Sequence, residues 1–163
     1  MTKHFVFLIA SFLSGSANAG TEPLSAQGLC DLARSLDQIV VAETGMTAMT
    51  VCPQIGFGML SDTGGQRSQA GAYLPASGQI ELAPDLDLST AFGRSFLLHE
   101  LVHAAQYRSG AEASVICLAE LEAEAYLVQA GYLRSHGLRE DATMMRVFAG
   151  LLGQCPGQGE MGY

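Results

Sequence analysis

No stretch of this chain forms a basic stripe, and its one lysine, Lys3, stands near the N-terminus. Without clustered cations, neither nucleic acid nor an anionic membrane surface is an expected partner. No apolar run is long enough to span a bilayer; that from Phe5 to Leu13 falls well short. No Cys-x-x-Cys pair is present, which argues against a zinc site built from cysteines. Internal repeats, coiled-coil heptads, a Gly-rich phosphate loop and a Gly-x-Ser-x-Gly elbow are also missing.

What the N-terminus does have is an address. Lys3 and His4, the apolar run, and then Ala17-Asn18-Ala19 make the three regions of a secretory signal peptide. Cleavage is expected after Ala19, leaving residues 20–163 as one domain with room for a core. Lys3 leaves with the leader, so seven arginines face sixteen acids and the net charge becomes −9 with histidines neutral. A surface of this kind favours solubility, and a secreted or periplasmic monomer is expected. No cysteine follows the apolar run closely, so no lipid anchor is suggested. Cys30, Cys52, Cys117 and Cys155 all lie past the cleavage point. Four cysteines in an exported chain suggest two disulfides. The pairings Cys30–Cys52 and Cys117–Cys155 are favoured because each closes a loop between neighbouring elements.

The chemistry centres on His99-Glu100-Leu101-Val102-His103. Residues four apart share a helix face, so His99 and His103 can aim two imidazoles at one metal ion. Glu100 lies one residue round from the first histidine, within reach of a water held by that metal. The surrounding residues are apolar nearly all round, the mark of a buried helix, and buried histidines need partners. Ser89 or Thr90 is expected as N-cap and Gly110 as the stop, giving about five turns.

A hydrolytic zinc site takes three protein ligands and leaves one position for water. The segment from Ser114 to Gln129 reads as the next helix and offers Glu120, Glu122 and Glu124. Val115, Leu118, Ala119, Ala125, Tyr126, Gln129 and Leu133 all fall on the side of Glu122. A carboxylate within an apolar stripe is costly unless paired, and a metal ion would pair it. Glu120 and Glu124 point the other way and are expected on a solvated face. His136 lies 14 residues beyond Glu122, about 21 Å along a continuous helix, and suits a helix C-terminus instead.

His99-Glu-Leu-Val-His103, then eighteen residues, then Glu122-Ala-Glu-Ala-Tyr126, resembles the gluzincin branch of zinc metallopeptidases. In that branch the third ligand is a glutamate on a following helix, and the resemblance implies this role for Glu122. Tyr126 stands where several of those families have Asp or Asn, the residue that contacts a ligand histidine. The chain as a whole looks like a group of small exported bacterial proteins with this core.

Elsewhere, apolar spacing predicts a helix from Ala26 to about Glu43, capped by Ser25 and stopped by Gly45. Short strands are expected at Thr47–Cys52, Ile55–Leu60, Ala70–Leu74 and Gln79–Leu82, the last two forming a hairpin around Pro75-Ala-Ser-Gly78. In metallopeptidases that this chain resembles, such a strand often rims the cleft and pairs with substrate. Asp141 can cap a final helix through about Leu152 that buries Met144, Met145, Phe148, Leu151 and Leu152, and a mobile tail is expected beyond Cys155.

The expectation is therefore an α+β, zincin-like domain: two metal-site helices, flanking helices, and a small antiparallel sheet before the motif helix. Zinc is held by His99, His103 and Glu122, Glu100 is the general base, and the reaction is hydrolysis of a peptide bond in a peptide or protein substrate. Tyr73, Tyr107 and Tyr126 are candidates to stabilise the oxyanion. The rivals are a catalytically inactive, zinc-bound structural or binding protein and a metal-free interaction module.

Overall fold

The computed structural model describes residues 24–58 and 70–155. The leader and the C-terminal tail considered above lie outside the described residues. Four helices and a three-stranded sheet make an α+β architecture: α1 (Ala26–Thr44), β1 (Ile55–Phe57), β2 (Gly71–Leu74), β3 (Gln79–Leu82), α2 (Ala91–Ser109), α3 (Ala119–Ser135) and α4 (Arg139–Leu152).

Helix ends follow local chemistry. The Ser25 hydroxyl accepts from the Gly28 amide and Thr90 accepts from the Gly93 amide, each cap contributing about 1 kcal/mol. Gly45 and Gly110 close α1 and α2 at φ 73° and 72°, in the left-handed region where a side chain would strain the backbone. Helix α3 begins at Ala119 rather than Ser114, so Val115 and Leu118 precede it and the expected stripe shortens from that end. Cys117 is joined there to Cys155, past the end of α4. Helix α4 begins two residues before Asp141. Its buried face is narrower than its sequence suggests: Met145 is buried, whereas Met144 and Leu151 are exposed.

The sheet has the order β1-β3-β2. The hairpin of β2 and β3 is antiparallel as expected, but β1 runs parallel to β3, so the sheet is mixed. Residues Thr47–Cys52 form no strand. Their polar backbone is satisfied without a ladder: Met49 N–H donates to Asp37 at 2.8 Å and Thr47 C=O accepts from Arg108 at 2.8 Å. Cys52 is tied to Cys30 on α1, so both disulfides have the expected pairings.

Helix α2 is the centre of the core, packed between α1, α3 and the sheet. Leu36 and Val40 of α1, Ile80 and Leu82 of β3, Leu97, Leu98, Leu101 and Val102 of α2, and Ala125 and Val128 of α3 form one buried cluster. A second cluster of Ala130, Leu133, Ala142 and Met145 fastens α4 to α3. Burying such side chains stabilises the fold by about 1.5–3 kcal/mol each before entropy is counted. Because α2 is held on three sides, its histidines are carried on a fixed platform.

Candidate metal centre

His99 and His103 project from α2 toward α3, where Glu122 stands in the first turn. His99 Nε2 and His103 Nε2 are 3.2 Å apart. Glu122 lies 3.4 Å from each, one carboxylate oxygen toward His99 and the other toward His103. Three ligand-type atoms thus surround one point. Two ligands of a tetrahedral ion at about 2.0–2.1 Å are separated by about 3.3 Å, so the spacing suits zinc.

The far side of each ring is held by a glutamine. His99 Nδ1 is 3.1 Å from Gln129 Oε1, and His103 Nδ1 is 2.8 Å from Gln106 Oε1. Neither glutamine is free to flip. Gln129 uses its NH₂ to donate to Ser95 Oγ, and Gln106 donates to Leu121 C=O and to a Glu124 carboxylate oxygen. Both glutamines therefore present oxygen to the rings, each Nδ1 carries the proton, and each Nε2 lone pair faces inward. Two such lone pairs and a carboxylate around one point repel unless a cation sits among them.

The electrostatics follow from that crowding. Burial opposes a charge on His103, but its hydrogen bond to Glu122 and the charges of Glu100 and Glu122 outweigh this and raise its pKa. Burial pushes the Glu122 carboxyl up, yet hydrogen bonds from His103 and His99 in their protonated forms prevail and hold it well below the usual carboxylate range. For Glu100, burial dominates and raises the pKa, against the lowering effect of the two histidines.

Glu100 is buried beside these three residues, and its side chain lies against Gly71 on β2. All four predicted site residues line one open cleft of about 1040 Å³. Strand β2 with Pro75 forms one wall, and Tyr126, Met145 and Phe148 belong to the opposite side. Tyr73 packs against Tyr107, and the Tyr126 ring lies edge-on to His99 at 4.6 Å, so all three tyrosine candidates border the cleft. Glu122 is not sunk in an apolar stripe: its side chain is 46% exposed because the start of α3 opens onto this cleft.

Glu124, expected on a solvated face, instead reaches back to Gln106. Gln106 and Gln129 were legible only as polar residues on otherwise apolar faces, and Gln129 takes the histidine contact that Tyr126 does not supply as an acid would. Glu120 stays away from the centre. His136 caps α3 with Nδ1 2.8 Å from Tyr132 C=O, as its place at a C-terminus suggests. Cys117, Glu120 and Cys155 also cluster, but the two sulfurs are bonded to each other, which removes them as metal ligands.

A family model described as "Domain of unknown function (DUF6647)" matches residues 26–159. The chain belongs to that family. No curated protein and no solved structure matches it. The family match includes every residue of the centre, from Gly71 on β2 to Gln129 on α3.

Proposed function

We propose that this protein is a zinc-dependent peptide hydrolase of gluzincin-like design. The observation that carries the reading is the donor set: two imidazole lone pairs and a carboxylate turned on one point, with both Nδ1 protons committed to glutamine oxygens. Neutral imidazole and carboxylate suit zinc, and His99, His103 and Glu122 would hold it. A zinc ion held there would supply Lewis acidity and make water more acidic. The ligands border an open cleft, which favours a catalytic site over a closed structural one.

Glu100 is the general base in this reading. Its burial favours the protonated form, so the acquired proton can be held and then returned to the leaving amine. An extended peptide would lie along β2, whose outer edge borders the cleft. Tyr73, Tyr107 and Tyr126 border the place where an oxyanion would develop. The two disulfides suit an oxidising compartment, and no helix among the described residues is long and apolar enough to cross a membrane. Export to the periplasm or beyond the cell fits the leader and these bonds.

The test is metal analysis of the purified protein joined to cleavage of a peptide library. One zinc per chain and cleavage by the wild type, with Glu100→Gln keeping zinc but losing cleavage, is expected. Absence of zinc after incubation with the metal would sink the proposal. Zinc bound without any cleavage would turn it toward a structural site.

A further inference from the structure

We infer that the edge strand β2 is the cradle that positions Glu100, Gly71 making room for its side chain. The inference deepens the reading of Glu100 as general base and rests on it for its catalytic meaning. The contact itself stands on geometry alone.

The hairpin register sets which groups face outward. Gly71 pairs with Leu82 and Tyr73 with Ile80. On β3, Ile80 N–H donates to Gln54 C=O and Leu82 C=O accepts from Gly58 N–H, so these residues turn their polar groups toward β1. Their partners Gly71 and Tyr73 consequently direct N–H and C=O away from β3, along the outer edge of β2. An outer edge usually meets water or another strand. Here the edge borders the cleft that Glu100 also lines.

Gly71 is what permits the approach. A Cβ at this position would lie 2.9 Å from both Cγ and Oε1 of Glu100, and 3.1 Å from Leu82 Cδ2. The Glu100 side chain therefore crosses the space that any larger residue would fill. With 6% of its surface exposed, Glu100 has little solvent to retreat into. A side chain pressed on a glycine and buried on its other sides has little freedom to turn, and a base must keep its orientation. The edge has a gap for substrate as well, since Pro75 has no N–H to offer. A peptide on this edge is left the polar groups of Gly71 and Tyr73.

A stability cycle tests the cradle without reference to turnover. Melting temperatures are compared for the wild type, Gly71→Ala, Glu100→Ala and the double variant. Gly71→Ala is expected to lower the melting temperature by several degrees in the wild type, and by less than half as much with Glu100→Ala, where only Leu82 still crowds the new methyl. If Gly71→Ala folds only alongside Glu100→Ala, the coupling is supported at its extreme. Equal losses in both backgrounds, or failure to fold in both, overturn it. On a cleaved peptide, Gly71→Ala should reduce kcat about 10- to 100-fold with KM and zinc content unchanged, and should add nothing to Glu100→Gln. An unchanged kcat overturns the positioning role. A wild type that cleaves no peptide defeats the hydrolase reading, and the stability cycle still decides the cradle.

Discussion

Helix α2 carries a polar cluster on each of two flanks, and the two are built on opposite principles. Toward α1, buried Asp37 accepts from Arg108 at 3.3 Å and from Met49 N–H at 2.8 Å, while Arg108 also donates to Thr47 C=O. Cation meets anion and donors meet acceptors, so this cluster is complete within the chain. Toward α3, His99, His103 and Glu122 turn acceptors on one point, and no Arg among the described residues pairs with them. The first cluster fastens a loop to two helices. The second is left for a proton or a cation to complete, and the proposed metal site rests on that difference.

Removing a ligand should break the comparison most completely. His103→Ala is expected to abolish stoichiometric zinc binding and all zinc-dependent cleavage, read by metal analysis and a peptide assay. Next, Glu100→Gln should keep the metal and lower kcat by about 10²- to 10⁴-fold, the usual range for losing a general base. Gln129→Leu should weaken zinc about 10- to 100-fold by freeing the His99 ring, measured by competition with a chelator.

Acid should compete with the metal. The raised pKa of His103 means that a proton occupies the site as pH falls, so zinc affinity should drop about tenfold per pH unit below that pKa. In the metal-free chain the signs are opposed. Raised His103 contributes stability that is full below its unfolded pKa of 6.5 and is lost as pH rises through the folded value. Depressed Glu122 contributes stability that is full above its unfolded pKa of 4.5 and is lost as pH falls through the folded value. Both contributions are present between pH 4.5 and 6.5, while raised Glu100 begins to lose its own above 4.5, so the metal-free site should be most stable toward the acid end of that window in a melting series. Smallest in its effect on the metal, Asp37→Ala should leave zinc affinity unchanged while costing about 2–3 kcal/mol of stability in urea, because Arg108 loses its partner. A change in zinc affinity there would show that the two flanks are coupled.

Local chemistry is strong enough to be read from single residues. Ser25, Thr90, Gly45 and Gly110 end their helices as their types require, and the hairpin turn at Pro75–Gly78 joins β2 to β3 as expected. The spacing of His99 and His103 puts both rings on one face of any α-helix, whatever surrounds it. Long-range partners follow a different logic. The Thr47–Cys52 segment has strand-like residues, yet Asp37 and Arg108 take its polar groups, and those partners are 12 and 61 residues away from the atoms they bind.

The chain's own order of residues was enough to single out His99, Glu100 and His103 as candidates, to set the caps of α1 and narrow the N-cap of α2 to two residues, and to pair the cysteines, since all of these depend on short-range periodicity or on simple connectivity. Glu122, by contrast, joins the histidines through the packing of α3 on α2 and not through an apolar stripe. Tertiary structure alone decided that β1 runs parallel to β3, that Gln106 and Gln129 orient the rings, that Glu124 turns inward, and that Gly71 lies against Glu100. Each of those facts depends on where separate elements come to rest against one another. A side chain's periodicity can give its face on a helix, but not which atom of another element will meet it there.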